Sequence, residues 1–149
     1  MKKEYNNDNH YQKTKVIVMK KYSKQREVIL ESLKMRRDHP TVDMLYEDLK
    51  LQMPNIGIAT IYRNVSELCA CGQIRKIKCE DGIYRYDGNA ENHIHFECNN
   101  CHKIFDIELE EKESTKIKKE LQNLANTINA EFDKQEIMLS GLCEKCKKQ

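Results

Sequence analysis

Two cysteine pairs of the form Cys-x-x-Cys are the residues of this chain with the clearest chemical potential. Cys98 and Cys101 form the first pair, and Cys143 and Cys146 form the second. This spacing is typical of a tight knuckle that directs two sulfurs at one metal ion. Two such pairs predict a closed, tetrahedral Zn(II) site that is structural rather than catalytic. Redox-active thiols and unrelated core cysteines are the alternatives.

Two histidines stand just before the first cysteine pair. His93 and His95 are separated by one residue. Because successive side chains of a strand point to opposite faces, a strand here would present both imidazoles on the same face. Imidazole nitrogen is a common ligand of transition metals, so this face is a second candidate site.

Composition limits the class of protein. A chain of 149 residues, 39% of them hydrophobic, forms one ordinary domain or two small ones. No apolar run approaches the roughly twenty residues that span a bilayer, and no signal peptide is evident, so no membrane partner is expected. The seven cysteines are an odd number, which argues against a fully paired disulfide framework and for the reducing cytoplasm.

The net charge of +2 conceals an uneven distribution. Residues 1–88 carry 17 Lys and Arg against 12 Asp and Glu, a net of +5. Residues 89–149 carry 9 against 12, a net of −3. A basic half joined to an acidic half suits a nucleic-acid-binding unit that carries a separate sensing or assembly unit, although such splits also arise by chance.

The first half predicts three helices and a hairpin. Ser23 can cap a helix that ends before Pro40, and Thr41 can cap a second helix. A third helix is predicted over 58–71, ending at Gly72. Strands at 73–77 and 83–86 then flank Asp81-Gly82, a strong hairpin signal. Three helices followed by a hairpin are typical of a winged helix-turn-helix domain.

The third predicted helix has two faces at 100° per residue. The apolar residues expected to pack inward are Ile58, Ile61, Val65 and Leu68. The polar residues expected on the opposite face are Thr60, Arg63, Asn64 and Glu67. In a winged helix this polar face would enter the major groove of double-stranded DNA, whereas in isolation it would be an ordinary solvated face. The candidate DNA-binding residues are Thr60, Tyr62, Arg63 and Asn64.

The second half predicts a small α/β domain. A strand with the two histidines, a strand at 104–109, an amphipathic helix at 110–127 and a strand at 132–139 lead to the last cysteine pair. Such a unit is too small to be stable alone, and a four-thiolate zinc, worth roughly 10–16 kcal/mol in apparent terms, would stabilise it. The boundary is expected in Asp87-Gly88-Asn89. This gives a DNA-binding domain at 1–87, with 1–20 as a flexible extension, and a second domain at 88–149.

Three motifs together resemble the ferric uptake regulator family of bacterial metalloregulators, over about residues 20 to 146. The motifs are Ala59-Thr60-Ile61-Tyr62-Arg63-Asn64, His93-x-His95-x-x-Cys98-x-x-Cys101 and Gly141-Leu142-Cys143-x-x-Cys146. The resemblance implies an α+β fold, a homodimer held by the C-terminal domains, a structural zinc and a regulatory metal at the domain junction. It also implies operator DNA as partner and no organic substrate.

Five further residues resemble the regulatory site of the family's peroxide-sensing branch. They are His39, Asp87, His93, His95 and Asp106. Their nitrogen and oxygen donors suit Fe(II) or Mn(II). Iron-sensing relatives typically carry Glu where this chain has Asp106, which favours the peroxide-sensing branch. Without the resemblance, His39 would be interpreted as a loop histidine and Asp87 as a turn residue.

The resemblance implies a metal-dependent repressor in which Fe(II) promotes oxidation of a ligating histidine, His39 or His93, by hydrogen peroxide. An iron-responsive regulator without peroxide sensing is the alternative within the family. A zinc-ribbon enzyme or interaction domain is the alternative outside it. The sequence shows no nucleophile–base pair or phosphate-binding glycine loop, so an enzyme is not expected.

Some residues depart from the family pattern or match no metal pattern. Many members have a histidine on the strand before the last cysteine pair, contributing to an additional metal site, but 133–136 contains none. That additional site is therefore not expected here. His102 is expected to face solvent, and Cys69, Cys71 and Cys79 are expected to be small core residues.

Overall fold

The structure is a computed structural model that describes residues 23–132 and 135–148; the extension predicted over 1–20 lies outside these residues. Helices and strands are both present, which confirms the predicted α+β class. The helices are α1 (Lys24–Lys34), α2 (Val42–Gln52), α3 (Ile58–Ala70), α4 (Glu111–Asn126) and α5 (Glu144–Lys147). The strands are β1 (Arg75–Lys78), β2 (Tyr84–Asp87), β3 (Ile94–Cys98), β4 (Ile104–Ile107) and β5 (Ile137–Gly141).

The predicted helix caps are confirmed. The side chain of Ser23 accepts a hydrogen bond from the Arg26 amide, and that of Thr41 accepts one from the Met44 amide. Each satisfies an amide that has no partner within its own helix. The three helices pack around apolar side chains that are at most 1% exposed: Ile29, Leu33, Leu45, Leu49, Ile61, Val65 and Leu68. This packing forms the first core of the molecule.

The hairpin follows α3, as predicted, with each strand displaced by one or two residues from its expected start. Strands β1 and β2 pair antiparallel, with Arg75 opposite Asp87. Gly82 in the connecting turn has φ of 78°, a left-handed conformation that glycine adopts without steric cost. Strand β2 ends at Asp87, which brings that carboxylate to the junction with the second half.

The second half contains a three-stranded sheet in the order β4-β3-β5. Strand β3 is central, antiparallel to β4 and parallel to β5. The last strand begins at Ile137, later than the predicted start at 132, and residues 133–134 of that prediction lie outside the described part. The pairing of β3 with β5 aligns Cys98 with Gly141 and so brings the two cysteine pairs to one end of the sheet.

The hairpin packs directly on this sheet. Ile77 and Cys79 of the hairpin form a small buried cluster with Ile104 of β4. Gly88, just after β2, packs on the first half instead, because a Cβ atom there would lie 2.5 Å from the backbone carbon of Leu33 at the end of α1. The two halves therefore meet through the apolar contact between the hairpin and β4. The predicted boundary at residues 87 and 88 remains a prediction.

Helix α4 is the least covered element. None of its residues is buried within this chain, although its apolar positions recur at helical spacing. Leu124 is 64% exposed, and Ile128 just beyond the helix is 77% exposed. Within residues 23–132 and 135–148, no helix combines the length and apolar character that crossing a bilayer requires.

Candidate metal centre

Five side chains from separate segments converge at the junction between the two halves. His39 comes from the loop between α1 and α2, and Asp87 comes from the end of β2. His93 precedes β3, His95 lies within it, and Asp106 lies on β4. One ligand atom from each of these side chains lies within 4.8 Å of all the others. The structure therefore brings together the residues that the resemblance implied.

The three histidines present their Nε2 atoms to two carboxylate oxygens. Asp106 Oδ1 lies 2.9 Å from the Nε2 atom of His39, 3.1 Å from that of His93 and 3.4 Å from that of His95. Asp87 Oδ2 lies 3.0 Å from His93 and 3.3 Å from His95. Donors at about 2.1 Å from an octahedral ion are about 3 Å apart, so these separations fit one divalent ion.

His39 shows the strongest sign of a missing partner. The side chain is 2% exposed, and within the described residues neither ring nitrogen has a hydrogen bond of good geometry, although Nε2 lies 2.9 Å from Asp106 Oδ1. Burial lowers the pKa of His39 against the opposing charges of Asp106 and Asp87, which favours the neutral imidazole that a metal needs. The residue also has φ of 48°, an uncommon conformation outside glycine. A metal ion would satisfy the unpartnered nitrogen.

Asp87 is held as a buried, charged carboxylate. It is 5% exposed, and its Oδ1 atom accepts a hydrogen bond from the Asn89 amide at 2.8 Å. Burial alone would raise the pKa of Asp87, but the hydrogen bonds from His95 and Asn89 outweigh it and lower that pKa. The Oδ2 atom remains directed at the histidines, so the site contains a negative charge that suits a cation.

The backbone around β3 orients two of the imidazoles. His93 Nδ1 lies 2.9 Å from the carbonyl oxygen of Glu91, and a carbonyl only accepts, so Nδ1 carries the proton. The lone pair of His93 is then on Nε2, which faces the cluster. His95 is paired directly with Asp106 across the antiparallel strands. Strand register therefore places an imidazole and a carboxylate side by side.

Arg37 is a contact that the sequence did not reveal. Its Nη1 atom lies 3.7 Å from Asp106 Oδ2 and 3.6 Å from Glu108 Oε1. The guanidinium thus attracts the outer oxygen of Asp106, while the inner oxygen faces the histidines. In the sequence, the only indication of this contact was that Arg37 belongs to the same loop as His39. Its side chain is 77% exposed, so solvent weakens this attraction.

The four zinc-type cysteines also converge. Their Sγ atoms lie within 4.8 Å of one another, and those of Cys101 and Cys143 are 3.9 Å apart. Sulfurs at about 2.3 Å from a tetrahedral zinc are about 3.8 Å apart, so this cluster fits a structural zinc site. The Cys143 amide donates to Cys98 Sγ at 3.4 Å, and Asn100 Nδ2 donates to Cys146 Sγ at 3.3 Å.

The pKa values of Cys98 and Cys146 are shifted in opposite directions. The backbone amides of Cys143 and Cys101 lower the pKa of Cys98 to about 6. Asn100 alone would lower the pKa of Cys146, but the neighbouring sulfurs, led by Cys143, raise it to about 11. Four adjacent thiolates repel one another, so full ionisation needs a cation among them. Zn(II) supplies that charge in sites of this type.

Comparison with known proteins decides the family. Residues 18–137 match the model of the ferric uptake regulator family. The chain belongs to this family. Its members are transcriptional regulators, which places the winged helix and the metal clusters in one functional setting.

Two relatives carry a more specific name. The peroxide-responsive repressor PerR of Staphylococcus epidermidis is 32% identical over 127 residues, which cover 84% of this chain and 80% of the relative. The PerR of Staphylococcus aureus is 32% identical over 124 residues, covering 82% of this chain and 79% of the relative. Both matches extend across the winged helix and the junction cluster.

Solved structures agree on the fold. The peroxide stress regulator of Campylobacter jejuni is 31% identical, with a TM-score of 0.71 and coverage of 82% of this chain and 88% of that one. The ferric uptake regulator of Helicobacter pylori is 22% identical, with a TM-score of 0.74 and coverage of 87% and 83%. The second likeness concerns the fold alone.

The polar face of α3 differs in part from the sequence prediction. Tyr62 is 49% exposed and Arg63 is exposed, whereas Thr60 is half-buried. The prediction that Asn64 faces outward is wrong: it is 3% exposed, and its Nδ2 atom donates to the Thr60 carbonyl at 2.8 Å. Asn64 follows Ile61 by one helical turn and therefore shares the inward face.

Two other positions on α3 also needed correction. Ile58 was predicted to pack inward but is 37% exposed, because it is the first residue of the helix and lies beyond the core. Glu67 was predicted to be free to meet a groove, yet it is half-buried and forms an ion pair with Arg26 of α1. The face of α3 open to DNA is narrower than the helical angles indicated.

Sequence reasoning also missed Glu97. Glu97 continues the alternation of His93 and His95 along β3, so it shares their face, and it is 1% exposed. That alternation could have revealed the face it shares. The His102 side chain is 40% exposed, in keeping with the prediction that it faces solvent, but its Nδ1 atom is buried and lies 3.6 Å from Glu97 Oε1. Of the remaining cysteines, Cys79 is buried as predicted, and Cys69 and Cys71 are half-buried.

Proposed function

We propose that this protein is a metal-dependent, DNA-binding repressor that senses hydrogen peroxide through oxidation of a histidine at its regulatory site. The junction cluster is the observation that carries this proposal. It combines three imidazoles with two aspartates, and no sulfur lies within it. The similarity to two PerR proteins, at 32% identity over most of the chain, supports the same branch of the family.

The metals assigned to the two clusters follow from their donors. Cys98, Cys101, Cys143 and Cys146 would hold Zn(II) as a permanent structural ion. His39, Asp87, His93, His95 and Asp106 would hold Fe(II) or Mn(II), since nitrogen and oxygen ligands suit these ions. Solved relatives of the family include a Francisella tularensis regulator with iron and a Pseudomonas aeruginosa regulator with manganese.

The regulatory residues can act as a clamp because they come from both halves. His39 and Asp87 belong to the winged-helix part, and His95 and Asp106 belong to the sheet. Their simultaneous ligation would fix one orientation of α3 relative to the sheet. A metal that favours this orientation also favours DNA binding, and DNA must strengthen metal binding by the same factor.

The histidines are the proposed sites of oxidation. Fe(II), if held by these residues, would activate hydrogen peroxide beside these rings; one peroxide oxygen would be added to a ring carbon, and the other would leave as water. The side chain of His93 is 13% exposed, whereas that of His39 is 2% exposed, so His93 is the more accessible of the two to solvent. Addition of oxygen to either ring would remove a ligand, release the clamp and end repression.

The proposed partners follow from two groups of exposed side chains on different elements. Thr60, Tyr62 and Arg63 on α3 would contact double-stranded operator DNA. The uncovered apolar side chains would form the interface of a homodimer; they are Leu124, Ile128, Met138 and Leu139. A solved zinc uptake regulator, bound to zinc and DNA, has a TM-score of 0.60 to this chain and supports the winged-helix assignment.

Mass analysis of peptides after peroxide exposure tests the proposal. In protein loaded with Fe(II), the peptide containing His39 or the one containing His93 should gain one oxygen atom, in step with release from DNA. Protein loaded with Mn(II) should remain bound and unmodified, because Mn(II) resists this chemistry. Oxidised cysteines with intact histidines would refute the mechanism. Retention of DNA at low peroxide would instead identify an iron-responsive regulator.

A further inference from the structure

A second group of metal-type side chains lies where the hairpin meets the sheet. Cys79 is at the end of β1, Asp81 is in the hairpin turn, and Glu97 is on β3. One ligand atom from each lies within 4.8 Å of the others. The group is separate from the four-cysteine cluster and from the junction cluster, and it also connects the two halves.

Glu97 is the unusual member of this group. It is 1% exposed, and both of its oxygens accept from the Glu80 amide at 3.1 Å. One shared backbone hydrogen bond compensates little of the cost of burying a carboxylate charge. A cation or further donors must supply the rest.

His102 offers a fourth donor beside Glu97. Its Nδ1 atom is buried, lies 3.6 Å from Glu97 Oε1 and makes no hydrogen bond. His102 has φ of 53°, which the knuckle formed by Cys98 and Cys101 imposes on it. The His102 side chain is 40% exposed, but its Nδ1 atom is buried and faces the buried carboxylate of Glu97.

Arg85 is the nearest competing charge. Its Nη2 atom lies 3.9 Å from Asp81 Oδ2, which is longer than a hydrogen bond. The Oδ1 atom of Asp81 accepts from the Ile83 amide at 2.8 Å, so Oδ2 is the oxygen left to bind a cation. Arg85 also hydrogen-bonds the Cys79 thiol, so a cation that binds Cys79 and Asp81 must displace the guanidinium from both side chains.

We propose that Cys79, Asp81, Glu97 and His102 form a further divalent-cation site of the Zn(II) class. One thiolate, two carboxylates and one imidazole are ligands that zinc accepts in four-coordinate sites. The ion would balance the buried charge of Glu97 and satisfy His102 Nδ1. It would also fasten the turn of the hairpin to β3, so the wing would be held at two places on the sheet.

Cobalt spectroscopy on the full-length protein tests this site, because Co(II) bound by a thiolate gives a sulfur-to-metal charge-transfer band. The four-cysteine cluster is first filled with zinc, and its retention is confirmed by elemental analysis. The junction cluster contains no sulfur, so it cannot give the band. The expected result is a band whose final intensity is that of one thiolate-bound Co(II) per chain, in the wild type and equally in H93A. Absence of the band in the wild type overturns the proposal.

Substitutions of Cys79, Asp81 and Glu97 test whether each side chain is a ligand of the bound Co(II). The control C71S alters a half-buried cysteine outside the group and should keep the band, whereas C79S should lose it. D81N and E97Q should weaken Co(II) binding about tenfold or more, since each alters a ligand. If C79S fails to fold, D81N and E97Q alone test whether this group of residues binds the ion. A band that persists in C79S, or unchanged affinity in both D81N and E97Q, overturns the assignment. None of these results depends on peroxide sensing.

Discussion

Asp106 Oδ1 is the atom that the three regulatory imidazoles share, at 2.9, 3.1 and 3.4 Å. Its position depends on the short side chain, because β4 fixes the backbone directly opposite His95. A glutamate at this position would add one methylene and move the carboxylate past the histidines. The length of this side chain therefore bears on which oxidant the site senses.

The substitution D106E should preserve metal-dependent DNA binding, because a carboxylate remains available. It should reduce release from DNA by peroxide about tenfold, since altered coordination changes the reactivity of the bound iron. DNA binding of Fe(II)-loaded protein across a peroxide titration measures this. Equal peroxide sensitivity of the variant and the wild type would remove the argument that assigns this chain to the peroxide-sensing branch.

At the scale of elements, the sheet depends on the four-cysteine cluster at its end. Strand β5 joins β3 in parallel and then leads to Cys143, while Cys98 ends β3. Helix α4 contributes no buried residue within the chain, so the apolar core of this half is small. Zinc would hold together two strands that otherwise have little to bury.

The substitution C143S should release zinc and unfold the second half at temperatures where the wild type is folded. The expected cause is the loss of one of four thiolates that hold the ends of β3 and β5 together. Zinc content and thermal unfolding followed by circular dichroism are the measurements. C71S serves as the matched control and should retain both zinc and stability. A C143S protein that lacks zinc but remains stable would contradict the proposed stabilisation of the sheet by zinc.

Gly88 follows β2 and packs closely against the backbone at the end of α1. The substitution G88A should lower the free energy of unfolding by about 1–3 kcal/mol, because the new Cβ would lie 2.5 Å from the backbone of Leu33. It should also weaken Mn(II) binding, since Asp87 precedes it. Chemical denaturation and calorimetric titration test both effects. G57A is the control, with open space at its Cβ position; equal effects of the two variants would contradict this explanation.

At the scale of the whole molecule, the surface proposed for DNA on α3, the proposed regulatory metal ligands and helix α4 belong to different elements. Arg63 is exposed on α3, far along the chain from the regulatory ligands on β3 and β4. The basic half carries the surface proposed for DNA, and the acidic half carries the uncovered apolar face proposed for the dimer. A change at one surface should therefore leave the chemistry at the other intact.

The substitution R63A should weaken operator binding by about 1–3 kcal/mol, because a guanidinium in the major groove can bond a guanine edge with two donors. Mn(II) affinity without DNA should remain unchanged. Binding isotherms at several salt concentrations measure the loss. The control K112A removes an exposed positive charge from α4 and should have little effect. Equal losses in the two variants would indicate a general effect of charge rather than a contact of Arg63.

The sequence by itself determined the features that depend on neighbours along the chain. Ser23 and Thr41 cap helices, Gly82 makes the hairpin turn, and the cysteine spacing predicts a zinc-type cluster, because each effect acts over a few residues. Resemblance to a family, rather than spacing, supplied His39 and Asp87. Tertiary packing across the junction decided that His39 and Asp87 lie next to the ligands on β3 and β4.

Tertiary structure also decided which polar residues are buried. Asn64 is covered because α3 packs against α1 and α2, and Glu97 is covered because the hairpin folds onto β3. Local spacing indicates which face Asn64 and Glu97 share with their neighbours, but it does not show that another element covers that face. Burial depends on elements distant in sequence, so only the folded chain shows that Glu97 and His102 face one another, and that Cys79 lies close to Glu97.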